Sequence, residues 1–283
     1  MQRFLLAGAV FGAFIAPALG ADMPLKAPAP PPTPWSGWYV GLSAGYESSG
    51  AKIDTGSTNT YASPNDGNFG PSLASAITQL SNFNASAINN GFIGGGQIGG
   101  NWQFEKIWVA GIEADIGGVA SSQSSHAFGS TLVLPIGGSV VQSASVSRAL
   151  DYLGTVRGRL GLLFGPSLLF YGTVGLAYGD VSASTSIAQN VFGHSHLDSS
   201  VWAGAGAYSG TLVGWTGGAG AEWMFLPSWS TRVEYPHYDL GAGNYGVSPL
   251  VSNERHSPFT VNALESNARF DGDVIRAGLN YHF

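Results

Sequence analysis

The chain of 283 residues carries 42 glycines, no cysteine and 10% charged residues, against roughly 25% in typical soluble domains. Without cysteine it has no disulfide framework, no thiolate zinc site and no lipid attached through a thiol. The net charge of −6 argues against nucleic acid as a partner. A mean hydropathy of +0.12 with abundant glycine and aromatics suits a membrane-spanning β-barrel or a Gly/Ser-rich soluble β-protein.

Met1 to Gly20 sets Arg3 ahead of an apolar run from Phe4 to Ala16, then Pro17 and the small-residue end Ala18-Leu19-Gly20. This is the pattern of a secretory signal peptide, residues 1–20, with the mature chain expected to begin at Ala21. Residues 21–37 form a linker expected in the periplasm; its proline-rich part, Met23 to Pro34, should be extended and semi-rigid.

From Trp38 onward, eight stretches alternate apolar and polar residues with a period of two, the mark of β-strands. They are 38–46, 92–104, 108–118, 150–164, 168–178, 213–225, 229–240 and 273–283. Each has at least the roughly 9–11 residues that a tilted strand needs to cross a bilayer. Leu160 to Tyr178 is apolar enough to suggest a helix, but Gly165-Pro166-Ser167 interrupts it, and two strands with a turn fit better. Short turns at 105–106, 165–167 and 226–228 alternate with long connections at 47–91, 119–149, 179–212 and 241–272. That segregation belongs to outer-membrane barrels, with short periplasmic turns, long extracellular loops and periplasmic termini. The fold expected for 38–283 is therefore all-β: an eight-stranded antiparallel up-and-down transmembrane β-barrel. In the first long connection Leu73, Ile77 and Leu80 have helical spacing, read as a loop segment packing on its neighbours or a short helix over the barrel mouth.

Charge placement agrees. The outward set carries no charge until His237 and Asp239, at the expected outer rim, whereas the inward set holds Glu113, Asp115, Asp151, Arg157, Arg159, Glu222, Arg232, Glu234 and Arg276. A lipid-facing charge at the midplane would cost about 2–4 kcal/mol. These nine are expected to form interior ion pairs: the acids of the third strand with the arginines of the fourth, and Arg232 and Glu234 with Glu222 and Arg276. A proton or ion pathway is the alternative, set against the narrow, side-chain-filled interior of an eight-stranded barrel. Trp38, Trp102, Trp108, Trp229 and Phe283 mark one interface; Tyr46, Phe92, Tyr178 and Trp215 mark the other.

The motifs GWYVGLSAGY (37–46), GGGQIGGNWQF (94–104), GTVRGRLG (154–161), GWTGGAGAEWMF (214–225) and VIRAGLNYHF (274–283) resemble the alphaproteobacterial outer-membrane immunogenic protein family. This is the porin-family group of eight-stranded barrels related to the OmpA transmembrane domain. The resemblance implies an abundant surface protein supporting envelope integrity and contact with host or environment, embedded among outer-membrane lipid and lipopolysaccharide. Some members are called porins, so a small-solute channel is the alternative function. Pro236 departs from the family pattern, and a bulge or early exit is expected there. Leu279, Tyr281 and Phe283 resemble the terminal signature read by the barrel-insertion machinery. Ala21-Asp22 is similar to the mature start of barrels joined to peptidoglycan through that amine, and the linker to Gly37 spans roughly 50 Å when extended. An extracellular partner is expected at the long loops, its identity open. His126, His194, Ser195, His196 and His256 all fall in those loops without the spacing that joins a nucleophile, base and acid, so no enzyme and no cofactor are expected. His194 and His196 share a face as a weak metal or haem motif.

Overall fold

In the computed structural model, residues 35–62, 69–121, 124–135, 137–192, 201–251 and 260–283 are described. They form nine strands: β1 (Gly37–Ala62), β2 (Phe83–Phe104), β3 (Trp108–Ser121), β4 (Ser124–Val133), β5 (Ser139–Phe164), β6 (Leu168–Phe192), β7 (Val201–Leu226), β8 (Trp229–Val251) and β9 (Thr260–His282). One helix, α1 (Phe69–Ser81), lies between β1 and β2. Each strand of the barrel pairs antiparallel with its neighbours, β9 returns to β1, and β3 pairs with β5. Eight strands thus close into a ring, as expected. The ninth, β4, pairs with β5 alone among the described residues.

The stretches expected to be long loops are mostly strand. β1 and β5 each run 26 residues and β6 runs 25, where about 9–11 suffice to cross a bilayer. The reason is a reversal of polarity along a single strand. In β6 the outward set begins Phe170, Val174, Leu176 and Tyr178, then becomes Asp180, Ser182, Ser184 and Ser186. The inward set runs the other way, ending in the buried Ala177, Val181, Ala183, Ile187 and Val191. Near the turns the wall is apolar outside and charged inside; beyond Tyr178 it is polar outside and apolar inside. A search for one apolar lipid face stops where the faces trade roles, although the ladder continues.

The reversal level also holds two register shifts. One falls between Leu150 and Tyr152, where Leu150 faces Val181 and Tyr152 faces Asp180, so Asp151 is the extra residue of a β-bulge. The other falls between Asp239 and Ala242, around Gly241 at φ 82°. No shift occurs at Pro236, contrary to expectation. Glu234↔Arg276 and His237↔Asp273 keep one register, and β8 continues to Val251. Proline is accommodated because the two rungs at Tyr235 and Pro236 are unpaired with β9, so the missing N–H breaks no bond there.

The first long connection contains a helix rather than a loose segment. α1 buries Leu73, Ala76 and Ile77 in one apolar cluster with Ile53, Val140, Trp202 and Leu264 of the barrel interior and Leu134 just past β4, while Pro71, Ser75 and Gln79 face solvent. Its C-terminal end finds partners inside the barrel. Gln142 Nε2 donates to Leu80 O at 2.8 Å, and Gln189 Nε2 and Asn262 Nδ2 donate to Ser81 Oγ at 3.2 and 3.0 Å. Three fully buried amides from β5, β6 and β9 thereby satisfy and fix the helix end.

Candidate functional site

The interior is filled in three layers. At the turn end Trp35, 1% exposed, packs with Val109, Leu169, Tyr171 and Met224, and its indole Nε1 donates to Pro166 O at 3.1 Å. Above this floor lie the inward charges. Above those sits the apolar core closed by α1.

The charged layer holds four acids and four arginines, each 8% exposed or less: Glu113, Asp115, Glu222 and Glu234 with Arg157, Arg159, Arg232 and Arg276. Glu113 and Arg157 are directly opposed across β3 and β5, and the register itself creates their 2.5 Å pair. Arg157 is the hub. It also reaches Asp115 at 2.9 Å and, across the lumen, Glu234 at 2.9 Å. Arg276 bridges Asp115 at 2.9 Å and Glu234 at 2.8 Å. Arg232 closes on Glu113 and lies 3.8 Å from Glu234. Arg159 pairs with Glu222 at 2.6 Å and stacks over the Tyr171 ring at 4.0 Å. Glu222 also accepts from Ser230 at 2.5 Å and Asn280 at 2.8 Å, with His282 at 3.4 Å. Tyr39 OH donates to Glu113 at 2.5 Å and accepts from Arg159 at 3.0 Å. Burial of this many charges demands matched signs, because an uncompensated charge in a low-dielectric interior is expensive.

Eight of the nine charges expected inside are there. Asp151 is not: the bulge changes the inward parity of β5, and Asp151 is exposed. Partners also differ in part. The acids of β3 meet Arg157 of β5, but Arg159 crosses to Glu222, which Arg232 was expected to hold. Strand adjacency predicts neighbours along the wall and is silent about contacts across a lumen.

Residues missed from the sequence are Trp35, Tyr39, His282 and a second buried set. In that set Tyr238 OH donates to Glu47 at 2.6 Å, while Arg148 donates to Ser49 at 2.7 Å and lies 4.5 Å over the Phe270 ring. Glu47 keeps the inward phase of Tyr39 and was legible; Arg148 is out of phase with Arg157 because of the bulge. Trp35 precedes the alternation and gave no periodic signal.

Leu279, Tyr281 and Phe283 project outward, with Phe283 75% exposed and its ring edge-on to Tyr281 at 5.2 Å. His237 pairs with Asp273 at 3.0 Å on the outward face. His126 is on β4 rather than in a loop, stacked on Phe128 at 6.0 Å. Ala21, His194, Ser195, His196 and His256 lie outside the described residues.

The profile of the family described as outer membrane protein beta-barrel domain matches residues 13–283. The chain is 30% identical over 290 residues to the 31 kDa outer-membrane immunogenic protein of Brucella melitensis biotype 1, covering 100% of both chains. It is 31% identical over 170 residues to the 22 kDa outer membrane protein of Rhizobium leguminosarum bv. viciae, covering 59% of this chain and 62% of the other. Among solved structures, the outer membrane protein OprG from Pseudomonas aeruginosa aligns with 88% of this chain and 96% of its own at 14% identity, with a TM-score of 0.40.

Proposed function

Because the chain belongs to the outer-membrane β-barrel family, we propose that it acts as a closed structural barrel of the envelope, presenting an extended surface outside the cell rather than conducting solutes. The observation that carries this reading is the charge-matched interior layer, four carboxylates against four guanidiniums, lying between the Trp35 floor and the α1 cap. A pore must keep its walls apart, and here the charges of opposite walls bond to one another. The family's porin label is the competing reading. In this orientation the three short turns and both termini face the periplasm, and the long strand extensions with α1 stand outside. The polarity reversal supports it, since the extensions are built for water outside and an apolar interior. The extended wall is the surface for an extracellular partner, and the apolar belt is the surface for lipid.

The test is purified barrel in planar bilayers, beside liposome swelling with small sugars and amino acids. The expected result is no discrete conductance and flat swelling traces. Reproducible unitary steps from intact, folded protein would replace this reading with the channel.

A further inference from the structure

A groove of about 790 Å³ with almost wholly apolar walls crosses the outward face of β8, β9, β1, β2 and β3. Its floor is one continuous cross-strand row: Val233 faces Ala277, Ala277 faces Ala44, Ala44 faces Gly94, and Gly94 faces Gly118. The row above is bulky. Tyr46 stands between Ile275 and Phe92, and the Tyr46 and Phe92 rings meet edge to face at 5.5 Å, forming a lip. Below, Leu42 and Leu279 face each other in the next outward row.

Internal packing does not demand the bare floor. A Cβ on Gly94 would meet nothing nearer than 3.8 Å, and one on Gly118 nothing within 4 Å. The inward glycines beside them are different: a Cβ on Gly45 or Gly95 would lie 2.2 or 2.0 Å from backbone oxygens. The space over Gly94 and Gly118 is therefore open to the surroundings, and within the apolar belt it continues the lipid-facing surface.

The depth of the groove matches one leaflet. Val233 is four residues from Trp229 at the turn end of β8, and Gly118 is ten residues from Trp108 at the turn end of β3. At about 3.3 Å per residue and a tilt near 45°, the groove climbs roughly 14 Å. Half of a barrel's apolar band about 25 Å tall is roughly 12 Å. With Val233 roughly 9 Å and Gly118 roughly 23 Å above the turn-end aromatics on the same scale, the groove runs from a little below the midplane to the rim at the extended end.

We propose that this groove holds an acyl chain of one outer-leaflet lipopolysaccharide molecule as a resident lipid. The proposal rests on the orientation given above, which puts the extended end outside. A bilayer leaves no such space empty, because a void forfeits the dispersion contacts of its whole lining. The rival occupant, a second copy, fits poorly. Two barrels in one membrane share depth and direction, so their symmetry axis is the membrane normal. Groove would then meet groove and lip meet lip, and the void would double.

The experiment is native mass spectrometry of the full-length barrel extracted from outer membranes in mild detergent, comparing wild type with Gly94→Leu/Gly118→Leu. Both substitutions project toward lipid, and the heat-dependent gel shift of a folded barrel verifies that the variant folds. Gly172→Leu, outward on β6 and away from the groove, is the control. The expected result is a one-to-one lipopolysaccharide adduct on wild type and control, reduced about tenfold in the filled variant, the change that 1.4 kcal/mol produces. Equal retention in all three proteins overturns the proposal, as does a lipid-free dimer dispersed by the substitutions. Orientation is read separately. The chain has no cysteine, so Ser75→Cys on the exposed face of α1 is the single target for an impermeant maleimide on intact cells. Phospholipid retained with Cys labelled overturns the choice of lipid; phospholipid retained with Cys unlabelled overturns the orientation and this proposal with it.

Discussion

Replacing Arg157 by methionine tests the interior layer at its hub. The guanidinium contacts Glu113, Asp115 and Glu234, so the change removes three ion contacts and leaves four acids facing three arginines. Each acid keeps another cation: Arg232 on Glu113, and Arg276 on Asp115 and Glu234. The cost of removing one member of a buried ion pair, about 3–5 kcal/mol, is therefore expected at its lower end, about 3 kcal/mol. With urea slopes of about 1–3 kcal/mol per molar, the unfolding midpoint in detergent should fall by roughly 1–3 M. Adding Asp115→Asn restores balance and leaves three intact pairs, Arg232–Glu113, Arg276–Glu234 and Arg159–Glu222. The asparagine oxygen can still accept from Thr155 Oγ1, which donates to Asp115 at 2.7 Å. The double variant should recover about 1–2 kcal/mol, a coupling in the range found for contacting residues. Tryptophan fluorescence and the heat-dependent gel shift, followed on the same urea series, give the three midpoints. A double variant no more stable than Arg157→Met, or a single variant as stable as wild type, would refute the charge-balance argument.

Asp151→Asn should change stability by less than about 0.5 kcal/mol, as exposed substitutions usually do; a drop matching that of Asp115→Asn would return Asp151 to the network. Ile77→Ala on α1 should cost about 2–5 kcal/mol of local stability and open the cap to proteinase K, while the folded barrel band persists on gels. Unchanged protease resistance would mean that α1 is not held by its apolar face. Deleting Phe283 should lower outer-membrane levels severalfold, whereas Phe104→Ala, another outward aromatic, should not; equal levels would show that Phe283 serves lipid packing alone. Peptidoglycan sacculi boiled in detergent and digested with muramidase and trypsin should release a muropeptide joined to Ala21; recovery of only free Ala21 peptides would reject the tether.

The sequence by itself determined which side of each crossing faces out. Leu42, Val156, Val174, Val233 and Ile275 meet the same surroundings whatever their neighbours do, so a period of two carries that information locally. It also determined the ring's strand order, because short turns join neighbours and the long connections leave antiparallel pairing as the simplest closure. Tertiary structure decided what depends on register and on reaching across the lumen. The bulge at Asp151 exists only relative to β6, and it removes one charge from the interior while turning Arg148 inward beyond it. Arg159 finds Glu222 because two walls come within reach of long side chains, a distance that no spacing along either strand encodes. The strand extensions were hidden for a related reason. Their apolar residues point inward, and only a closed barrel sealed by α1 makes that interior a core rather than an exposed face.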